Sequence, residues 1–307
     1  MTGPVRVVVH PRHPRGVADA FAAIDGIDLS LPTLEDLDEA LHTCEVLVTW
    51  VWRDEFHSPR MRWIQSISAG VDQFPLLELS DRGIVLTSAS GVHVVPVAEH
   101  AFALLLALTR GIGVATRNAT IATWRPHMNE ELTGKTMLVL GLGTIGEEIA
   151  RRAAAWGMRV VGVKQNVGGY AGVADEVRPP EDLVELAGEA DVIVAVLPET
   201  EATRGIVDRE VLKALGNGWF VNVGRGTVVA ESDLLWAIEE CGLRGAGLDV
   251  FEHEPLPETS PLWSNSRVVI TPHTAGLSPM YGPRLAEMFR ANLAAFRGEG
   301  EWVNRVV

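Results

Sequence analysis

TMLVLGLGTIGEEIA, residues Thr136 to Ala150, is the stretch on which the reading of this chain turns. Met137 to Leu140 is an apolar run long enough for one buried strand. Gly141, Gly143 and Gly146 follow in G-x-G-x-x-G spacing, and Ile145, Ile149 and Ala153 then recur at helical period. The glycines therefore fall on a strand-to-helix turn, the context in which that motif binds a dinucleotide. Gly141 permits the tight turn, Gly143 lets the backbone approach a pyrophosphate, and Gly146 lets the helix pack closely on the strand. The free N–H groups and positive end of the helix then face the phosphates.

Working outward, the rest of the second half continues the same alternation. Apolar strands are expected at Arg159–Val163, Val192–Val196, Trp219–Val223, Ala246–Asp249 and Val268–Ile270, with helices at Asp208–Leu215 and Glu231–Glu240 between them. Before the glycine turn, strands are expected at Val5–Val9, Val46–Trp50, Trp63–Ile67 and Ile84–Leu86, with helices at Gly16–Ile24 and Leu34–Leu41. Alternation of this kind implies parallel sheets covered by helices. A long helical pattern from Val97 past Arg110 toward Asn118 separates the two series, and a final helix is expected at Pro283–Phe296. The fold class is α/β, with two doubly wound parallel-sheet domains.

Composition bounds the partners. The chain has 307 residues and a net charge of −14, which argues against nucleic acid and anionic membranes. Lys135, Lys164 and Lys213 are its only lysines. An acidic, lysine-poor surface suits a high-salt (halophilic) cytoplasm, and a GC-rich genome accounts for arginine over lysine equally well. Cys44 and Cys241 give neither a disulfide framework nor metal-site spacing, so a reducing, cytoplasmic location is expected. His10 and His13 have no second pair of ligands, and no metal is expected. The apolar helix near Val97 is too short to span a bilayer and reads as a buried helix.

Polar residues collect where the strands of the second series should end, which is where open α/β sheets bind ligands. They are Arg225 in VNVGRG, Asp249 and Glu254 in GLDVFEHEP, and His273 in TPHTAG. An arginine offers a planar fork to a carboxylate. A histidine beside a carboxylate can pass a proton to or from a carbonyl oxygen. Each residue alone also has an ordinary reading, as a solvated side chain, a turn cap or a loop histidine. Their joint occurrence at consecutive strand ends beside a dinucleotide turn lifts all four.

On these motifs the chain resembles the D-isomer-specific, NAD(P)-dependent 2-hydroxyacid dehydrogenases. The resemblance is carried by SAGVD (Ser68–Asp72), VAEHAFALLLAL (Val97–Leu108), LTGKTMLVLGLGTIG (Leu132–Gly146), VNVGRG (Val221–Gly226), GAGLDVFEHEPLP (Gly245–Pro257) and TPHTAG (Thr271–Gly276). It implies a Rossmann-type cofactor domain, residues 98–276, inserted into a flavodoxin-like substrate domain made of residues 1–97 and 277–307. It implies that His273 is the acid/base, Glu254 its partner, Arg225 the substrate-binding arginine and Asp249 a supporting residue. Backbone N–H groups at Gly70 and Val71, beside Ala69, would hold the substrate carboxylate. The helix from Val97 would serve as hinge and as dimer contact, so a homodimer is expected. The cofactor site would take in Gly141, Gly143, Thr144, Ile145, Gly146, then Leu197, Pro198, Thr203, Val223, Gly224, Arg225, Asp249, His273 and Gly276.

The family pattern for NAD places an acid after the second strand of the cofactor domain. Here RVVGV is followed by Lys164, Gln165 and Asn166, which favours NADP, with NAD possible. Trp50, Trp52, Phe74, Met280 and Tyr281 suggest an apolar rim for a 2-oxo acid side chain, with Trp50, Trp52 and Tyr281 as substrate contacts; equally, some of them would merely close the interdomain core. The expected activity is hydride transfer between NADP(H) and a 2-oxo acid/D-2-hydroxy acid pair. An alternative is a cofactor-sensing, corepressor-like binding protein of the same fold, against which the retained Arg225, Glu254 and His273 argue. Short-chain dehydrogenases need a Tyr-x-x-x-Lys pair, which is missing because Ala174 and Leu285 follow Tyr170 and Tyr281 at that spacing. Formate dehydrogenases carry glutamine where Glu254 stands.

Overall fold

The computed structural model describes residues 3–53, 55–56 and 58–307. The chain divides into two compact units, one running to His93 and resuming at Leu277, the other spanning Val94–Gly276.

The first unit is a five-stranded parallel sheet in the order β2-β1-β3-β4-β5. Its strands are β1 (Val5–Val9), β2 (Ile27–Ser30), β3 (Val46–Thr49), β4 (Trp63–Ser66) and β5 (Val85–Thr87). β3 and β4 are buried along their whole length, so neither alternates between a wet and a dry face; the buried polar Gln65 and Ser66 of β4 are hydrogen-bonded within the unit. Helices α1 (Val17–Ala22), α2 (Leu37–Leu41) and α3 (Leu76–Asp81) connect them, and α10 (Tyr281–Phe296) joins the same unit. α10 buries Tyr281, Leu285, Phe289 and Leu293 on one face. Phe289 stacks on Trp63 at 4.6 Å and meets Phe21 at 4.8 Å. Burying large apolar side chains yields about 1.5–3 kcal/mol each, which outweighs the roughly 1 kcal/mol that Gly282 costs in the first turn. Gly282 is also needed, because a Cβ there would overlap the Gly16 carbonyl.

Beyond α10 the chain returns along β5. Leu86 N–H donates to Val307 O, Val306 N–H to Leu86 O at 2.8 Å, and Ser88 N–H to Asn304 O at 3.0 Å. Thr87 and Arg305 pair antiparallel. The buried Asn292 side chain holds the approach to this strip by accepting from Val303 N–H at 2.7 Å.

The second unit carries a seven-stranded parallel sheet in the order β12-β11-β10-β9-β6-β7-β8. The strands are β6 (Thr136–Leu140), β7 (Arg159–Val163), β8 (Glu176–Arg178), β9 (Val192–Ala195), β10 (Trp219–Asn222), β11 (Gly245–Leu248) and β12 (Val268–Ile270). Helices α6 (Thr144–Ala155), α7 (Leu183–Glu189), α8 (Arg209–Leu215) and α9 (Glu231–Glu240) cover it. β6 pairs with both β7 and β9, so the strand order reverses at the end of the glycine-turn strand. That crevice is where doubly wound sheets take a ligand.

α4 (Val94–Thr109) lies on this sheet, with Ala98, Ala101, Leu104 and Leu105 buried. Its approach to β11 is close: a Cβ on Gly247 would stand 2.8 Å from the Leu104 Cβ. The whole of α4 falls within the second unit. One expectation is corrected here: the helical pattern toward Asn118 is not one helix. It breaks at Arg110–Gly111, where Gly111 adopts φ +63, and α5 (Ile112–Thr120) leaves at 68°. Among the described residues no single helix is long and apolar enough to cross a membrane.

Candidate active site

The glycine turn is built as its sequence requires. Gly141 has φ +98, a left-handed conformation open to glycine, and a Cβ there would stand 3.1 Å from the Val196 carbonyl oxygen on the adjacent strand end. A Cβ on Gly146 would overlap the Gly141 carbonyl, so α6 can start where it does only with glycine at that position. Gly143 differs. It is exposed and a Cβ there would meet nothing within 4 Å. Protein packing therefore does not demand that glycine, and the open space above it leaves room for a pyrophosphate. The turn thus fits a dinucleotide, with Thr144 and Ile145 opening the twelve-residue helix α6 behind it.

At the end of β7, Lys164 is half-buried and its Nζ lies 3.5 Å from the Leu142 carbonyl oxygen inside the glycine turn. Gln165 and Asn166 are exposed beside it, and Asn166 Oδ1 accepts from Gly168 N–H at 3.2 Å. At the end of β9 comes the Leu197–Thr203 loop. Thr203 Oγ1 donates to Pro198 O at 2.6 Å and accepts from Thr200 N–H at 2.9 Å, which gives the loop a fixed shape. Gly224, at the end of β10, lies close to that loop; a Cβ on it would stand 2.8 Å from both Leu197 N and O.

Asn222 is fully buried at the end of β10 and orders the arginine turn. Its Oδ1 accepts from Gly224 N–H at 3.1 Å and its Nδ2 donates to Arg225 O at 2.9 Å. The Arg225 side chain is exposed, and its Nη1 donates to Gly224 O at 2.8 Å, leaving the rest of the guanidinium fork facing outward. Sequence reading missed Asn222, although a lone amide within an apolar strand was the signal available.

Asp249 follows β11 and is 1% exposed. Its Oδ1 accepts from Thr271 Oγ1 at 2.6 Å and Thr274 N–H at 2.9 Å, and its Oδ2 from Ala275 N–H at 2.9 Å. His100 Nε2, from α4, stands 3.4 Å from Oδ1. Burial by itself would raise this carboxyl. The hydrogen bonds from His100, Thr271 and the two backbone N–H groups outweigh it and hold the group below the ordinary aspartate range. The segment from Thr271 to Ala275 is thus wrapped around a buried carboxylate.

His273 sits on that segment. Its N–H donates to Asp249 O at 2.8 Å, and its φ of +52 places it in the left-handed region. For a non-glycine residue this costs about 1–3 kcal/mol, a cost the Asp249 hydrogen bonds offset at about 1.5–3 kcal/mol each when the partner is charged. The conformation aims an exposed ring at Glu254: Nδ1 and Glu254 Oε2 are 2.6 Å apart. Glu254 Oε1 accepts from Phe251 N–H at 3.1 Å, which fixes the carboxylate. His253 is exposed.

In the first unit, the SAGVD turn follows β4. Ser68 Oγ donates to Gly70 O at 2.7 Å, and Gln73 Nε2 ties Ser68 Oγ to Trp50 O. Ala69 and Gly70 are exposed and Val71 is half-buried. Trp50 is exposed, with its indole N–H on Arg12 O at 3.0 Å. Trp52 is half-buried against Phe56. Two rim residues are corrected. Tyr281 is buried, stacks on His93 at 5.1 Å and donates its hydroxyl to Ile67 O; Phe74 lies in the core with Leu79 and Leu86. Packing inside the unit buries both rings.

The chain is similar to known proteins over most of its length. Residues 102–275 match the family model for the D-isomer specific 2-hydroxyacid dehydrogenase NAD binding domain, and residues 18–154 match that for its catalytic domain. A glyoxylate reductase of Korarchaeum cryptofilum is 34% identical over 289 residues, covering 89% of this chain and 86% of its own. A glyoxylate/hydroxypyruvate reductase A of Arabidopsis thaliana is 35% identical, over 77% of this chain and 75% of its own. The crystal structure of an NADPH-dependent glyoxylate/hydroxypyruvate reductase from Sinorhizobium meliloti, in complex with NADP and malonate, superposes with a TM-score of 0.77 at 27% identity, covering 99% of this chain and 97% of that one.

Proposed function

Because the chain belongs to the D-isomer-specific 2-hydroxyacid dehydrogenase family and is an NAD(P)-dependent oxidoreductase of 2-oxo acids, we propose that it reduces a small 2-oxo acid of the glyoxylate or hydroxypyruvate kind with NADPH, using His273 as the acid. The observation that carries this reading is the 2.6 Å contact between His273 Nδ1 and Glu254 Oε2 on a segment clamped by a buried aspartate. With Nδ1 held by the carboxylate, Nε2 is the ring atom left to deliver a proton. A nicotinamide cofactor, when bound at the glycine turn, would supply the hydride. Arg225 presents its outward fork to the 2-oxo acid and polarises the carbonyl. The exposed Ala69–Val71 turn offers backbone N–H groups to a carboxylate. In the reverse direction His273 accepts the hydroxyl proton, and Glu254 stabilises the imidazolium that forms.

The preference for NADPH rests on Lys164, whose ammonium stands at the glycine turn where an NAD site carries an acid. A homodimer accounts for the apolar side chains exposed on and after α5, among them Ile112, Ile121, Trp124 and Met128; light scattering that gives a monomer mass removes it. A cytoplasmic location suits the two free cysteines, Cys44 and Cys241.

The test is a reductase assay over a panel of 2-oxo acids with NADPH and NADH in parallel. Glyoxylate and hydroxypyruvate should be turned over faster than branched or aromatic 2-oxo acids, and faster with NADPH. No turnover of any 2-oxo acid, with cofactor binding intact, returns the corepressor-like alternative.

A further inference from the structure

We propose that His100, on α4, is a positioning residue for the His273 segment, acting through Thr271. The inference rests on the proposed role of His273 and extends it to a residue that lies outside the Arg225, Glu254 and His273 set.

The hydrogen bonds run in one direction. Thr271 has a single hydroxyl proton and donates it to Asp249 Oδ1 at 2.6 Å. Toward His100 the same oxygen can only accept. The 2.7 Å contact between His100 Nε2 and Thr271 Oγ1 therefore places a proton on Nε2, and His100 is the donor. The shorter path of donation runs from His100 to Thr271 to the buried carboxylate, with the direct approach of His100 Nε2 to Asp249 Oδ1 longer, at 3.4 Å. Asp249 in turn holds Thr274 and Ala275 through their N–H groups. His273 is tied to both ends, since its N–H faces the carbonyls of Asp249 at 2.8 Å and Thr271 at 3.1 Å.

The platform beneath His100 is firm. Four residues on, Leu104 packs where Gly247 of β11 leaves no room for a side chain, and Ala101 and Leu105 are buried on either side. His100 is therefore fixed relative to β11, the strand that delivers Asp249. Its ring pins Thr271, the entry to the segment, while Asp249 pins the exit. The left-handed backbone of His273 lies between the two pins. Without the first pin, Thr271 loses the donor that fixes its hydroxyl rotamer, and Asp249 loses one of the groups that hold it ionised. Small errors in placing a catalytic group are enough to slow chemistry by a large factor.

Full-length wild type, His100→Ala, His100→Gln, Thr271→Val and the His100→Ala/Thr271→Val double variant test this, with His273→Ala as reference. Readouts are kcat and KM for glyoxylate or whichever panel acid the wild type reduces best, NADPH binding by fluorescence, and melting temperature. His100→Ala should lower kcat by about tenfold or more with KM and NADPH affinity near wild type. His100→Gln, whose amide N–H can donate to Thr271, should recover most of that loss. The double variant should be no slower than the worse single one, as expected of two links in one chain. If His100→Ala is too unstable to purify, the Gln and Val variants carry the same comparison. A lowered melting temperature with unchanged kcat, multiplying losses in the double variant, or a Gln variant as slow as a fully active-fold Ala variant overturns the inference. His273→Ala with full turnover overturns the reading of His273 as well; an inactive His273→Ala beside a wild-type-like His100→Ala overturns only the role of His100.

Discussion

At Lys164 a single side chain sets the sign of the charge beside the glycine turn. A lysine there attracts a 2′-phosphate, whereas an acid would accept hydrogen bonds from a ribose 2′-hydroxyl and repel the phosphate. Lys164→Asp should therefore lower the ratio of NADPH to NADH kcat/KM by about tenfold, the equivalent of roughly 1.4 kcal/mol; an unchanged ratio would move phosphate recognition to another residue. Asp249 makes a second residue-scale prediction, on stability. Its folded value is depressed, so its contribution is fully present above the unfolded aspartate value of about 3.9 and is lost as pH falls from there through the folded value. The stability difference between wild type and Asp249→Asn, measured by urea unfolding, should shrink as pH is lowered below about 4. A difference that stays constant across that range would contradict the ionised, hydrogen-bonded carboxylate.

Among the elements, the turn from β6 into α6 separates two uses of glycine that look alike in sequence. Gly146→Ala should destabilise the fold, since overpacking against backbone costs about 1–3 kcal/mol or more, read as a fall in melting temperature. Gly143→Ala should leave melting unchanged, because its Cβ would meet no protein atom within 4 Å, yet weaken NADPH binding if the proposed pyrophosphate takes that space. Equal melting for both variants would show that the contact at Gly146 has been misread. The elements also show what the sequence made legible. The buried strands and the four strand-end residues stood out as apolar runs with polar ends. β2 and β8 did not, and both are sheet edges. Edge strands keep polar residues, and IDLS and EVR carry Asp28 and Glu176 in ion pairs to Arg6 and Arg159 on the neighbouring strands. The break after α4 was hidden because Gly111 lies in a pattern that stays periodic on both sides. His100 and Thr271 were not legible as a pair, since 171 residues separate them.

For the whole molecule, a net charge of −14 on 307 residues means that exposed acids repel one another across the surface. Among the described residues most ion pairs have at least one partner exposed to solvent and relieve little of that repulsion. Raising salt from about 0.01 M to about 1 M shortens the screening length from about 30 Å to about 3 Å. The melting temperature should rise over that span in sodium chloride, which screens without strongly favouring burial. A flat or falling curve would show that local pairs outweigh the net charge, and would leave codon usage as the simpler account of the arginine bias. The strip at residues 304–307 beside β5 sets the order in which the chain can finish folding. The first sheet begins at Val5, yet its margin at Leu86 finds its partners only when Val306 and Val307 have been made. At about 5–20 residues per second, the ribosome needs roughly ten to forty seconds to cover that distance. The second unit, continuous from Val94 to Gly276, is complete before then, so on the ribosome the part of the enzyme synthesised first is the last to close.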